Sequence, residues 1–375
     1  MEKIDFCFVI GSVPLFRPTG GDDVIFNLIR RLKDDGYRVN ILVIENLSKW
    51  IKNYFNSNKV EIYDISLSKK LYFFLQRNYS IRYLFPLIRK LKGADYDFSF
   101  LKNVKIILIK DVDRLRILSL NRIFATWWAT AFYVADDRVK AQNKYYLIQN
   151  NEDDRSFSGK ASSYARDSYS LHNLRKIVIN GEMEKRFIRD NPLKFNVGID
   201  YDLWHYIGKK ENIILFPLRS EEYKGTKYML EAARILMEKT PEYQLISFGN
   251  LSPSKVPDYI EHHYKIKNTE LVKLYKNSKI FILPSIVEGF SLAGLQAMAS
   301  NCGIVSTDSI GIREFMRNNQ NAVIVQTRSA EEIVTGVLKL IKSPDFLIEL
   351  LENAQETVKR YTYDNMYNQF IKLFS

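Results

Sequence analysis

The sequence predicts an α/β protein of two Rossmann-like domains, each with a parallel β-sheet. The chain has 375 residues, and one hydrophobic core rarely grows past about 250 residues, so two domains are expected. Strand-like apolar runs alternate with amphipathic helical segments in both halves, as in repeated βαβ units. Polar and glycine-bearing loops follow several runs, at the sheet edge where such folds bind ligands.

The N-terminal half opens with one clear βαβ unit. Gly20 and Gly21 lie in the loop after the first strand, where we expect them to form a wall of the ligand cleft. The helix that follows carries its apolar residues on one stripe and ends at Gly36. The predicted elements are a strand (3–12), a loop (13–23), a helix (24–36) and a second strand (37–45).

The C-terminal half contains five strand-like runs with helices between most of them. Ser329 and Glu332 have the spacing of a capping box, and Pro344 after Ser343 is typical of a helix start. The two halves join near 191–204. The predicted strands are 212–218, 243–249, 278–284, 302–307 and 322–326.

Composition indicates a globular protein without a membrane span. Hydrophobic residues make up 46% of the chain, yet no apolar run approaches the ~20 residues of a transmembrane helix. The N-terminus lacks the features of a signal peptide. Cys7 and Cys302 both lie in strand-like runs, where they are expected as buried thiols and not as a disulfide. We therefore expect a soluble or peripheral protein of the reducing cytoplasm.

Residues 1–200 hold nearly all of the net charge of +12. They contain 34 of the 55 Lys and Arg residues and 23 of the 43 Asp and Glu residues, a balance of +11. Nucleic acid, an anionic membrane or a diphosphate substrate would each match such a one-sided basic field. Because no nucleic-acid-binding motif accompanies the charge, we expect no nucleic-acid partner.

The stretch 67–93 contributes much of this charge. It mixes seven Lys and Arg residues with aromatic ones and contains no acidic residue. A basic amphipathic segment fits docking on the anionic inner face of the plasma membrane. It fits equally a segment whose apolar side is core and whose charges are solvated. The sequence supports both interpretations equally.

The segment 284–315 holds the clearest candidate site. A strand ends, a loop with Glu288 and Gly289 follows, and a helix begins near Ser291. The unpaired N–H groups of a helix start carry partial positive charge and suit a phosphate. Glu288 and the amide of Gln296, about one turn into the helix, could bind hydroxyls beside it. This combination suits a nucleotide sugar.

A second loop, within 217–230, places Arg219 and Lys224 before Gly225. Each cation alone is typical of a solvated surface. Both follow a strand of the domain that also carries Glu288. This position favours joint binding of one phosphate by the two cations.

These motifs resemble those of the retaining GT-B glycosyltransferases of the family 4 type, over most of the chain. The resemblance implies a GT-B fold with an acceptor-binding domain (1–198), a nucleotide-sugar-binding domain (199–358) and a C-terminal helix (359–375) that crosses back to the first domain. The marks that carry it are the Gly20–Gly21 loop, "FNVGID" (195–200), "LRSEEYKG" (218–225) and "EGFSLAGLQAMA" (288–299).

The same resemblance implies roles for the site residues. Arg219 and Lys224 would bind the donor diphosphate, and Glu288 the donor sugar; these three form the predicted catalytic set. Gln296 stands where the family has a glutamate that contacts the ribose. An amide offers one acceptor oxygen, so we expect weaker donor binding with the chemistry retained. The other predicted donor contacts are Gly20, Gly21, Gly249, Gly289, Phe290, Ser291 and Leu292.

The implied reaction needs no metal or other cofactor. Arg219, Lys224 and the helix-start amides would stabilise the charge that builds on the departing nucleoside diphosphate. Asp111 and Asp113 form an Asp-x-Asp pair, which marks metal binding in the other main glycosyltransferase fold. They lie in the half that should not bind the donor, and surface charge is the better interpretation. The four histidines lack metal-ligand spacing.

The stretch "ATWWATAFYVADD" (125–137) is a predicted strand end that leads into a helix at the cleft. Thr126, Trp127 and Trp128 are predicted acceptor or sugar contacts, because aromatic faces pack on sugar C–H surfaces. The sequence is equally consistent with both tryptophans as core residues. Together with 144–154, this stretch resembles the N-terminal half of rhamnan-building rhamnosyltransferases.

The sequence therefore predicts a glycosyltransferase that moves a hexose or deoxyhexose from a nucleoside-diphosphate sugar. The expected acceptor is a glycan, a lipid-linked glycan or a glycoprotein in cell-surface polysaccharide synthesis. A non-catalytic glycosyltransferase-like subunit that binds a glycan or a partner enzyme is the alternative, motivated by Gln296. A sugar-nucleotide epimerase of the same fold fits the Glu288–Gln296 motif less well.

Overall fold

A computed structural model describes residues 4–11, 20–44, 104–109, 120–154 and 161–374. The chain divides into two compact units. The first comprises Met1–Ile179 and Met183–Lys194, and the second comprises Asn180–Glu182 and Phe195–Ser375. The predicted domain boundary at 198 lies close to this division. The basic stretch 67–93 and the Asp111–Asp113 pair lie outside the described residues.

The first unit contains a seven-stranded sheet in which every described pairing is parallel. Its strand order is β3-β2-β1-β4-β5-β6-β7, with β1 in the interior as in a Rossmann sheet. The strands are β1 (Ile4–Ile10), β2 (Val39–Ile44), β3 (Lys105–Ile109), β4 (Leu120–Ala125), β5 (Ala141–Ile148), β6 (Arg175–Val178) and β7 (Leu193–Lys194).

Aromatic residues on neighbouring strands stabilise the centre of this sheet. Phe124 on β4 pairs in register with Phe8 on β1 and with Tyr145 on β5. Its ring stacks on both partners, with centroid separations of 4.9 Å to each. Such cross-strand aromatic pairs contribute up to about 1 kcal/mol each beyond the area they bury.

The first helix begins earlier than the sequence predicts. Gly20 and Gly21 form its first turn and do not lie in a loop. A glycine pair is a poor helix former, so the pattern favoured a loop, but Asp22 and Asp23 follow in the first turn, where acidic residues stabilise the helix dipole. The described helices of this region are α1 (Gly20–Asp34), α2 (Trp128–Ala135), α3 (Ser162–Ser168) and α4 (Gly181–Arg186).

The second unit contains a six-stranded parallel sheet of order β10-β9-β8-β11-β12-β13. All five predicted strands are present, each within one residue of the predicted ends. The sixth, β10, was not predicted. The strands are β8 (Glu211–Leu218), β9 (Gln244–Gly249), β10 (Glu261–Tyr264), β11 (Ser278–Leu283), β12 (Gly303–Thr307) and β13 (Val323–Val325).

Helices cover this second sheet and bury an apolar core against it. The predicted helix starts are confirmed: the Ser329 hydroxyl accepts a hydrogen bond from the Glu332 amide, and Pro344 begins the next helix. The helices are α5 (Tyr201–Trp204), α6 (Thr226–Lys239), α7 (Asn268–Asn277), α8 (Leu292–Ala299), α9 (Ala330–Lys342), α10 (Pro344–Val358) and α11 (Tyr363–Lys372).

The C-terminal helix α11 packs within the second unit. Ile199 forms a parallel bridge with Thr362, and the ring of Phe195 meets Phe370 edge-on at 5.4 Å. The predicted crossing of this helix to the first domain stays a prediction. Cys7 and Cys302 are both buried and free, as the sequence predicts. Within the described residues, no helix combines the length and apolar character needed to span a membrane.

Candidate active site

The candidate site lies at the carboxyl ends of β8 and β11, which are neighbours in the second sheet. The loop after β8 carries Arg219 and Lys224, and the loop after β11 carries Glu288. Residues 64 positions apart in the sequence are thus brought to one sheet edge, where parallel sheets place their ligands.

The backbones of these two loops are tied together. The carbonyl oxygen of Tyr223 accepts hydrogen bonds from the amides of Ile286 and Val287, at 2.8 and 3.2 Å. Gly225, at φ 70°, packs so closely on Pro284 that a β-carbon would lie 1.9 Å from the carbonyl oxygen of Pro284. Only glycine fits this contact. The two loops therefore have a fixed relative position.

Lys224 and Glu288 form the central ion pair of the site. The Nζ of Lys224 lies 2.8 Å from Oε1 of Glu288, and the hydroxyl of Ser285 donates to the same oxygen at 2.7 Å. The side chains are 26% and 12% exposed, so ligand can still reach them. The second carboxylate oxygen of Glu288 has no described partner. It remains available to accept from a ligand hydroxyl.

Arg219 is exposed at the end of β8. Its backbone is fixed by Thr226, whose hydroxyl accepts from the Arg219 amide and donates to its carbonyl at 2.9 and 2.6 Å. Its guanidinium has no described hydrogen-bond partner and is free to bind an anion. Burial, followed by the charges of Glu221 and Glu288, raises the pKa of Tyr223 to about 12, and the charge of Arg219 acts against this rise. The charges of Arg219 and Glu288 therefore both act on the Tyr223 side chain.

Helix α8 begins at the end of the Glu288 loop. Ser291 is its N-cap in the left-handed conformation, at φ 75°, and its hydroxyl accepts from the Gly294 amide. The cap compensates in part for the cost of about 1–2 kcal/mol that a non-glycine residue incurs there. The amides of Leu292 and Ala293 lie in the first turn, where the helix itself offers no acceptor.

Gln296 is half-buried on α8, and its side chain has no hydrogen-bond partner within the described part of the chain. Gly249 ends β9 and packs on β8, because a β-carbon would lie 1.9 Å from the carbonyl oxygen of Leu218. This contact explains the glycine without a ligand. The donor contacts predicted for Gln296 and Gly249 stay predictions.

In the first unit, two of the residues predicted as sugar contacts are buried, and those contacts stay predictions. Trp128 is only 2% exposed, and Thr126 is 7% exposed with its hydroxyl bonded to the Val9 carbonyl at 2.8 Å. Both are core residues, because the start of α2 folds back onto the sheet. Trp127 is half-buried with its indole ring against Gly11. Of the three predicted residues, only Trp127 still offers surface to a ligand.

Sequence reasoning missed several residues that shape these sites. Ser285 fixes the Glu288 carboxylate, and Tyr223 joins the two loops. In the first unit, the side chain of Gln149 lies over Gly21 at the start of α1, 3.3 Å from the position of a β-carbon. Serine and glutamine near strand ends are too common to stand out in a sequence. Their roles depend on contacts between distant segments.

The described residues contain no cluster of three or more His, Cys, Asp or Glu side chains that could hold a metal ion. His262 bonds Ser247 and the Leu251 carbonyl, and His263 bonds Glu261. Each of these two histidines has a structural partner.

Residues 205–360 match the family model described as glycosyl transferases group 1. A Campylobacter jejuni relative, N,N'-diacetylbacillosaminyl-diphospho-undecaprenol alpha-1,3-N-acetylgalactosaminyltransferase, is 27% identical over 44% of this chain and 45% of its own length. The chain thus spans about half of that relative. An uncharacterized glycosyltransferase of Haemophilus influenzae is 23% identical over 99% of both chains.

A similar fold occurs in the Anabaena protein HepE, solved in complex with UDP-glucose. The TM-score is 0.69 with 12% sequence identity, over 99% of each chain. At this identity the similarity shows the two-domain fold alone. None of these comparisons bears on the resemblance to rhamnan rhamnosyltransferases, which stays a prediction.

Proposed function

We propose that this chain, whose residues 205–360 match the model of glycosyl transferases group 1, is a retaining glycosyltransferase that transfers a hexose or deoxyhexose from a nucleoside-diphosphate sugar. The proposed acceptor is a glycan, glycolipid or glycoprotein in the synthesis of a cell-surface polysaccharide. The observation that carries this proposal is the Lys224–Glu288 pair of 2.8 Å beside the start of α8.

Both residues of the Lys224–Glu288 ion pair have a role in the proposed reaction. In the free site Glu288 neutralises Lys224 and holds its ammonium at the sheet edge. An entering diphosphate carries two negative charges and competes with the single charge of Glu288 for that ammonium. Its binding frees the Glu288 carboxylate to accept hydrogen bonds from the hydroxyls of the donor sugar. Donor binding thus exchanges an internal ion pair for two contacts to one ligand.

Bond cleavage then places new negative charge on the leaving nucleoside diphosphate. The proposed diphosphate position is surrounded by Lys224, by the first amides of α8 and by the guanidinium of Arg219, which has no hydrogen-bond partner among the described residues. They stabilise the transition state more than the ground state, because charge on the leaving group is greatest there. Each preorganised donor of this kind contributes about 3 kcal/mol. We propose that these groups take the place of a metal ion, so that chelators leave activity unchanged.

Two relatives support the choice of substrates. HepE was solved with UDP-glucose, which favours a UDP-sugar donor. The name of the Campylobacter jejuni relative contains a diphospho-undecaprenol acceptor, which favours a lipid-linked glycan acceptor here. A lipid-linked acceptor and the basic N-terminal half are consistent with action on the cytoplasmic face of a membrane.

A donor screen followed by a transfer assay tests the proposal. We expect one of the UDP-, GDP- or dTDP-sugars to raise the melting temperature, because a ligand that binds only the folded state stabilises it. The matching nucleoside monophosphate should give a smaller rise, since it lacks the second phosphate. With that donor and a lipid-linked glycan, we expect release of nucleoside diphosphate and a product that keeps the anomeric configuration. Absence of both binding and release would contradict the proposal.

Gln296 favours one second candidate, a glycosyltransferase-like subunit without activity. An amide in place of a ribose-binding carboxylate weakens donor affinity. The same assay separates the two candidates. A subunit would show no nucleoside diphosphate release with any donor and would form a stable complex with a glycan or a partner enzyme.

A further inference from the structure

Asn180 fixes one peptide of the Glu288 loop. Its side-chain Nδ2 donates a hydrogen bond of 2.7 Å to the carbonyl oxygen of Gly289, and the residue is only 1% exposed. The next amide along the chain, that of Gly181, donates to the carboxylate of Glu314 at 2.7 Å. Residues 180–182 accordingly group with the second unit.

The preceding peptide of the loop is fixed by a different partner. The carbonyl oxygen of Glu288 accepts from the Gly311 amide at 3.1 Å. Gly311 approaches so closely that a β-carbon there would lie 2.5 Å from that oxygen. The Phe290 ring is held as well, since it packs against the rings of Phe315 and Tyr361 at 5.3 and 5.8 Å.

These contacts determine where the loop amides point. In a trans peptide the carbonyl and the following N–H lie on opposite sides of the chain. Because Gly311 and Asn180 hold two successive carbonyls, the N–H groups of Gly289 and Phe290 face away from them. Neither N–H donates to any group of the described residues. Two directed amides that have no acceptor among the described residues, next to a helix N-terminus, can donate to an anion.

We propose that Asn180 is a positioning residue that orients the Gly289–Phe290 peptide so that the Phe290 amide donates to the diphosphate of the donor. This inference rests on the proposed function. Without the Asn180 bond the peptide can rotate, because Gly289 has no side chain to restrict it. Rotation would turn a carbonyl oxygen toward the diphosphate in place of an N–H. The bond therefore acts through the backbone and touches no substrate atom.

Asn180→Asp tests the proposal because the two side chains have nearly the same shape. The ionised carboxylate cannot donate to the Gly289 carbonyl and repels it. The protonated acid can donate its O–H to the same oxygen. Burial and the nearby Glu314 carboxylate both favour the protonated form of the new acid. The defect should therefore disappear as the pH falls, which no general loss of structure would produce.

Dissociation constants for UDP, GDP and dTDP are measured by calorimetry from pH 5 to pH 8.5, for wild type, Asn180→Asp and Asn180→Ala. For the nucleotide that wild type binds best, we expect about tenfold weaker binding by Asn180→Asp at pH 8.5, which is one lost directed hydrogen bond. The ratio of the Asn180→Asp dissociation constant to the wild-type dissociation constant should approach one at pH 5. Taking the ratio cancels the titration of the phosphate itself. Asn180→Ala should bind weakly at every pH.

The outcomes separate this inference from the proposed function. If wild type binds a nucleotide and Asn180→Asp shows a constant ratio near one, the positioning role is wrong and the function stands. If wild type binds none of the three nucleotides, the donor site itself is wrong. Should Asn180→Asp fail to fold by circular dichroism, Asn180→Ala decides: wild-type affinity in that variant overturns the inference, and a uniform loss supports it.

Discussion

The α-carbon of Gly225 lies against the carbonyl oxygen of Pro284, at a distance that leaves no room for a side chain. Gly225 ends the loop that carries Lys224, and Pro284 begins the loop that carries Glu288. Their contact determines how far apart the cation and the carboxylate stand. The site therefore depends on a glycine that contributes no functional group.

We expect Gly225→Ala to destabilise the protein by about 3 kcal/mol or more, because the β-carbon would lie 1.9 Å from the Pro284 oxygen at a φ of 70°. Gly36→Ala is the matched control. Gly36 has a φ of 83° but no atom within 4 Å of the new β-carbon, so only the conformational cost of about 1 kcal/mol applies. Scanning calorimetry measures both. Equal losses in the two variants would show that the contact with Pro284 is unimportant.

We expect Arg219→Ala and Lys224→Ala each to lower kcat by about 10²–10³-fold, the effect of removing one preorganised donor to transition-state charge. Stability should change by about 1 kcal/mol or less, since Arg219 is exposed and the Lys224–Glu288 pair is partly solvated. Lys227→Ala is the control: Lys227 is an exposed cation one turn away on α6. Turnover and melting temperature are measured for all three variants. Wild-type turnover in both site variants would refute the proposed diphosphate contact.

Gln296→Glu should tighten binding of the ribonucleoside diphosphate by several-fold, because a carboxylate accepts from both ribose hydroxyls. The gain should vanish with the matching 2′,3′-dideoxynucleoside diphosphate, which has no hydroxyl to donate. Calorimetry with the two ligands on wild type and variant gives four affinities. An equal gain for both ligands would mean that Gln296 acts elsewhere than on the ribose.

Glu152 should make stability depend on pH. Burial raises its pKa to about 8, against hydrogen bonds from the Tyr146 hydroxyl and the Trp128 amide that lower it. The folded state thus holds a proton that the unfolded chain releases above about pH 4.5. Stability falls as the pH rises from about 4.5 to about 8, by up to a few kcal/mol.

Glu152→Gln removes this titration and keeps an acceptor for Tyr146. We expect the variant to match wild type at pH 5 and to be more stable at pH 9. Urea denaturation at the two pH values measures the difference between variant and wild type, which cancels the other titrating groups. A difference that does not grow with pH would show that Glu152 is ionised in the folded protein at both values.

Much of the fold follows from local sequence patterns. The five predicted strands of the second sheet are mostly apolar runs, which is what a strand covered on both faces requires. The helix starts at Ser329 and Pro344 depend on contacts within one turn, so residue type and spacing suffice to predict them. The start of α1 at Gly20 was missed, since glycine favours loops by propensity while the surrounding structure decides otherwise.

The site was predictable only in part. Its loops were identifiable because parallel sheets place ligands at the carboxyl ends of their strands, and the motif residues followed from family resemblance. Trp128 shows the limit. Its neighbour Trp127 is half-buried while Trp128 is core, and two adjacent identical residues carry no signal that tells them apart.

The sequence by itself determined the alternation of strands and helices, the two parallel sheets and the segments at their edges, because each depends on residues close together in the chain. The tertiary structure decided that Lys224 meets Glu288, that Gly225 must be glycine and that Asn180 holds a peptide 109 positions away. These contacts join segments that are far apart in the chain, so no local sequence pattern indicates them. Only the folded sheet brings them within hydrogen-bonding distance.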